Sequence, residues 1–105
     1  MADGFRIDIP EHQIAEFCKR WKISELAFFG SVLRDDFHPD SDVDVLVTFA
    51  PDATWSLFDH VDMEDDLEGI LGRPVDLVSR RGIERSRNPF RRRAILESAR
   101  VVHVA

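Results

Sequence analysis

Residues 42–49 read Asp-Val-Asp-Val-Leu-Val-Thr-Phe, and no other stretch of the chain restricts its fold so tightly. Asp42, Asp44, Leu46 and Thr48 point one way along an extended backbone, and Val43, Val45, Val47 and Phe49 point the other. One face of this strand is wholly apolar and has to be covered by a packed layer. The other face starts with two carboxylates and turns apolar only at Leu46, so the strand's head must lie where charge is tolerated.

The flanking patterns supply the layers. Pro10 opens a stretch in which Ile14, Phe17, Cys18 and Trp21 recur at helical spacing, which predicts a helix over about 10–22 with Cys18 in the core. Leu26–Phe29 is a short apolar run ended by Gly30-Ser31, the pattern of a buried strand. Residues 31–41 begin as a possible helical turn and end in the breaker-rich Phe37-His38-Pro39-Asp40-Ser41. After Ala50-Pro51-Asp52, the residues Trp55, Phe58, Val61, Leu67, Ile70 and Leu71 mark a second helix closed by Gly72, with the acidic run Asp62–Glu68 as its solvated face. Val75–Ser79 is a third strand. Asn88-Pro89 predicts the cap and first turn of a helix through about Ala99, and Val101–Val104 a last strand. This order implies an α/β sandwich, with helices flanking a mixed sheet whose first two strands pair antiparallel.

At 105 residues, 44% hydrophobic and 32% charged, the chain is expected to form a single domain spanning 1–105, without room for a separate substrate-binding lobe. One cysteine, no leader pattern and no apolar run near 18 residues predict a cytoplasmic protein with no membrane partner. The net charge of −6 is unevenly spread: residues 1–79 carry six basic and 18 acidic side chains, residues 80–105 eight arginines and two glutamates. An acidic body argues against wrapping a long nucleic acid. The Arg-rich tail suits a phosphate group, an acidic partner or plain solvent.

Asp42 and Asp44 project from one strand face with Cα atoms roughly 6.6 Å apart. Asp76 heads another apolar strand, and neighbouring strands lie about 4.8 Å apart, so it can complete a carboxylate triad around one or two Mg²⁺ ions. Such a pair of ions clamps an in-line phosphoryl or nucleotidyl transfer. Gly30 at a strand end admits a ligand close to the backbone, amides and the Ser31 hydroxyl can cradle phosphate oxygens, and Arg34 supplies a cation one turn later. Each element is common alone. Together, Gly-Ser followed after ten residues by Asp-x-Asp arises in about 4 in 1,000 shuffles of this composition. Other sites fail on spacing: the EF-hand register beginning at Asp40 puts Val45 where Gly belongs and Pro51 where Glu belongs, a Walker Gly-Lys-Ser/Thr is absent, and the four histidines are too scattered for zinc.

On these residues the chain resembles the minimal nucleotidyltransferases of the DNA polymerase β superfamily. The segment from Phe28-Phe29-Gly30-Ser31 through Asp42-Val43-Asp44 carries the likeness, and Asp76 falls where the family has its third carboxylate. Superfamily relatives often hold Gly after the arginine at position 34, where this chain has Asp35. The resemblance implies the DNA polymerase β-like fold and transfer of AMP from ATP, assisted by two Mg²⁺ ions, to a tyrosine of a HEPN-type toxin, the chain being the antitoxin of a hetero-oligomeric pair. In that scheme Asp42 and Asp44 bind both metals, Asp76 ligates the metal nearest the acceptor and helps deprotonate it, and Gly30, Ser31 and Arg34 hold the nucleotide. The competing expectation is a non-catalytic antitoxin or nucleotide-binding subunit that masks its partner.

Overall fold

The computed structural model describes residues 9–30 and 42–105. Its elements are α1 (Glu11–Arg20), β1 (Ile23–Phe29), β2 (Val43–Phe49), α2 (Leu57–Leu71), β3 (Val75–Ser79), α3 (Arg80–Glu84), α4 (Pro89–Ser98) and β4 (Arg100–Val104). The four strands form one mixed sheet in the order β3-β2-β1-β4. β1 pairs antiparallel with both β2 and β4, while β2 and β3 run parallel and are joined by the α2 crossover. The expected α/β architecture is therefore present, and α3 is added to it.

The alternation in β2 sorts the interior into two clusters. Val43, Val45 and Val47 face Ile14, Phe17 and Cys18 of α1 and Met63 and Leu67 of α2. On the opposite face Leu46 joins Ala27 and Phe29 of β1, Ile83 of α3 and Ile95 of α4. Each of these side chains is at least nine-tenths buried, and a fully buried Leu, Ile or Phe contributes about 1.5–3 kcal/mol by leaving water. Among the described residues, no helix is long and apolar enough to cross a membrane.

Local chemistry explains most boundaries. α2 starts in a capping box: Ser56 Oγ accepts from Asp59 N–H, and the Asp59 carboxylate accepts from Ser56 N–H. It ends at Gly72, whose left-handed backbone (φ 73°) closes the helix with an N–H bond to Glu68 O. Asn88 caps α4, its side-chain oxygen accepting from the N–H groups of Phe90 and Arg91.

Several expectations need correction. β1 starts at Ile23 rather than Leu26, because Ile23 pairs with Phe49 and Ser24 Oγ donates to Thr48 O. α1 stops at Arg20, and Lys22 takes φ 55° to turn the chain into the sheet. On α2, Phe58 is 84% exposed and Val61 53%, so of the expected face Leu67 is buried, Ile70 and Leu71 pack partly against the core, and Met63 completes the inward side. Nor is the acidic run of α2 simply solvated. Glu64 accepts from Leu77 N–H at 3.0 Å and Glu68 from Val75 N–H at 3.2 Å, so two carboxylates satisfy the outer backbone donors of edge strand β3. Asp66 of the same run binds Arg20 at 2.6 Å and Trp21 Nε1 at 3.0 Å. The possible helical turn and breaker-rich stretch at 31–41 lie outside the described residues.

Candidate functional site

Sheet register draws the predicted residues together. Asp44 of β2 stands opposite Phe29 of β1 on one side and opposite Asp76 of β3 on the other. Asp44 and Asp76 thus occupy equivalent positions on adjacent parallel strands, with Cα atoms roughly 4.8 Å apart. Both lie on the face covered by α3 and α4, close to where β2 and β3 begin. Asp44 is half-buried and Asp76 exposed.

Gly30 fixes the third wall. It follows β1 with φ 71°, and a Cβ added there would collide with Asp44 Oδ2 and lie 3.3 Å from Asp44 Cγ. The carboxylate of Asp44 fills the space that any other residue at position 30 would claim. Backbone handedness and close approach both call for glycine at this position.

An open cleft of about 280 Å³ is formed here, with Phe29, Gly30, Asp44 and Asp76 contributed by the sheet. α4 closes it with Arg91, Ala94, Ile95 and Ser98, which share one helical face at steps of three and four. The volume is at the lower end of small-molecule pockets. Of the six site residues expected from sequence, Gly30, Asp44 and Asp76 line the cleft. Asp42 stands exposed just before β2 and is not among the lining residues. Ser31 and Arg34 lie outside the described residues.

Arg91, Ala94 and Ser98 were not singled out by sequence reasoning as cleft residues. The available signal was an arginine, an alanine and a serine in register along one face of a helix that also buries Ile95. The Arg-rich segment does not act as one patch. Arg80 donates to Thr48 Oγ1 at 3.1 Å and lies 3.7 Å from Glu25, Arg92 donates to Ser86 O at 3.1 Å, and Arg93 pairs with Glu97 at 3.2 Å. Cys18 lies in the opposite layer, and burial pushes its thiol up to about 12, so no thiolate is supplied at neutral pH.

Among the described residues no three acidic, histidine or cysteine side chains gather tightly enough to enclose a metal ion. The pair formed by Asp44 and Asp76 nevertheless has the donor chemistry of Mg²⁺, which is held by one or two carboxylates plus substrate phosphates and water rather than by an all-protein cage.

Residues 11–102 match the profile of the nucleotidyltransferase domain. The chain is 38% identical over 69 residues to the protein adenylyltransferase MntA of Thermococcus cleftensis, covering 66% of this chain and 68% of that one. It is 34% identical over 79 residues to a Methanocaldococcus jannaschii protein provisionally assigned as a protein adenylyltransferase, covering 75% and 76%. Among solved structures, a provisionally assigned minimal nucleotidyltransferase superposes with a TM-score of 0.65 at 37% identity, covering 86% of each chain. The fold is shared with a toxin–antitoxin complex with AMP-PNP (TM-score 0.70, 21% identity, 92% of this chain and 75% of that one). It is shared also with a complex of an MNT antitoxin and the tri-AMPylated HEPN toxin of Shewanella oneidensis (TM-score 0.60, 20% identity, 90% and 70%).

Proposed function

The chain belongs to the nucleotidyltransferase domain family, and from that premise we propose that it transfers AMP from ATP to a tyrosine hydroxyl of a HEPN-type toxin and thereby acts as its antitoxin. The observation that carries this reading is the register of Asp44 with Asp76 at a cleft whose third wall is glycine. A fold relative within a toxin–antitoxin structure with AMP-PNP, and another in complex with a tri-AMPylated HEPN toxin, support the acceptor class.

In the proposed reaction the acceptor oxygen attacks the α-phosphorus of ATP, the new O–P bond forms as the bond to the β-phosphate oxygen breaks, and pyrophosphate leaves. Asp76 takes the hydroxyl proton. Asp42 and Asp44 would hold Mg²⁺ together with Asp76; when bound, the ions neutralise charge on the triphosphate and on the attacking oxygen. Gly30, by lacking a Cβ, lets Asp44 approach the β1 terminus, and Ser31 and Arg34 are assigned to the phosphates on sequence grounds alone. These 105 residues contain no tyrosine, so a tyrosine acceptor must lie outside them, in this proposal on the partner chain. That chain must bring its hydroxyl to about 3–3.5 Å from the α-phosphorus.

The test is transfer of label from [α-³²P]ATP to a HEPN partner with Mg²⁺. Wild type should label the partner, and Asp44→Asn and Asp76→Asn should each lower the rate about 100-fold or more while remaining folded. Label retained by the Asp44→Asn, Asp76→Asn double variant would overturn the assignment. A partner inhibited without any label would instead support masking.

A further inference from the structure

Three consecutive arginines sit on α4, and the structure gives them different surroundings. The Arg92 guanidinium is half-buried and donates to Ser86 O, and Arg93 is paired with Glu97 one turn on. Arg91 alone of the three lines the cleft with Asp44 and Asp76. Its main-chain N–H is held by Asn88, whereas among the described residues no carboxylate or carbonyl pairs with its guanidinium. Among the described residues lining that cleft, Arg91 is also the only cationic side chain.

The rest of the lining face of α4 is small. Ala94 and Ser98 follow Arg91 at three and seven residues, while Ile95 anchors the helix in the core at 6% exposure. Short side chains beside a long cation leave room in the cleft next to Arg91. A guanidinium with free donors, in a cleft whose other charges among the described residues are carboxylates, is matched to an anion presenting several oxygens.

We infer that Arg91 is a nucleotide-binding residue that contacts the phosphate chain and contributes affinity for polyphosphate without a divalent cation. This rests on the nucleotidyltransferase reading of the same cleft, and deepens it by giving α4 a role in holding the phosphates. The phosphate chemistry is common to substrate ATP and product pyrophosphate, and the two are separable by experiment.

The experiment is isothermal titration of the full chain in EDTA with ATP, AMP, adenosine and pyrophosphate at millimolar concentrations. Wild type should bind ATP more tightly than adenosine. Arg91→Ala should weaken ATP about tenfold, leave adenosine unchanged and remove most of the salt dependence of ATP binding, with Arg91→Lys intermediate. Parallel weakening of pyrophosphate assigns Arg91 to the β and γ phosphates, and weakening of AMP assigns it to the α-phosphate; either supports the inference. Arg93→Ala, which alters a cation outside the cleft, should bind like wild type. Equal ATP affinity in wild type and Arg91→Ala, or an equal loss for adenosine, overturns the inference. Because no partner, metal or transfer enters this measurement, failure of AMP transfer alongside an Arg91-dependent ATP affinity would reject the proposed function and leave Arg91's role standing.

Discussion

At Gly30, a backbone and a carboxylate share a space too small for one more methyl group. The residue's φ of 71° already disfavours a side chain, and the added Cβ would strike Asp44 before any other group. Gly30→Ala should therefore cost about 1–3 kcal/mol in urea unfolding, through left-handed strain and displacement of Asp44. Because the displaced group is one of the three proposed metal-facing carboxylates, transfer should fall further than stability does. Gly72→Ala shares the handedness (φ 73°) but meets nothing within 4 Å. It should lose stability alone and keep its activity, and equal activity losses in the two variants would refute the steric role of Gly30. The Gly30-to-Asp44 spacing was legible in the sequence as a motif. Its mutual packing was not, because it depends on β1 ending beside the head of β2.

At the scale of elements, the segments with strong local signals are where the sequence placed them. β2 showed its alternation, β3 its five-residue run, and α4 its Asn88-Pro89 start, within a residue of the observed bounds. α3 was missed because it is a five-residue turn containing Gly82, held by Ser79 Oγ and by burial of Ile83 rather than by any periodic pattern. The first residues of β1 were missed because Ser24 and Glu25 look like loop residues until Thr48 and Arg80 arrive from distant elements. The carboxylates of α2 were misjudged for a related reason. Glu64 and Glu68 are spaced like a solvated stripe, and only the tertiary placement of β3 turns them into acceptors for its edge. Glu64→Ala should cost about 1–3 kcal/mol by leaving Leu77 N–H without that acceptor, and should speed hydrogen exchange at this amide. Asp65→Ala, at an exposed position of the same helix, should change stability by no more than about 0.5 kcal/mol. Unaltered exchange at Leu77 in Glu64→Ala would show that the carboxylate does not guard the edge.

Over the whole molecule, the sheet divides structural and chemical labour between its two sides. α1 and α2 bury the larger cluster against one face, while α3 and α4 fold the basic end of the chain over the face that carries Asp44 and Asp76. Nucleotide bound on the second face should stabilise both layers, because β2 is common to them. Mg-ATP at 100 times its dissociation constant should add about 2.7 kcal/mol, enough to raise the unfolding midpoint by roughly 10 °C, and EDTA should reverse most of that rise. An unmoved midpoint in Asp44→Asn would tie the effect to the cleft, whereas an equal rise in wild type and variant would place nucleotide elsewhere.

The crossover from β2 to α2 leaves the sheet at Phe49, at the end of the strand away from Asp44, roughly 16 Å along it. Pro51 and Asp52 are exposed there, and the Lys22–Asp52 contact at 3.2 Å is a surface ion pair of small energetic value. This corner is a natural splice point for protein engineering: a fluorescent reporter or purification handle inserted between Pro51 and Asp52 would ride on the molecule at a distance from the chemistry, leaving cleft, helix α4 and the carboxylates of Asp44 and Asp76 untouched.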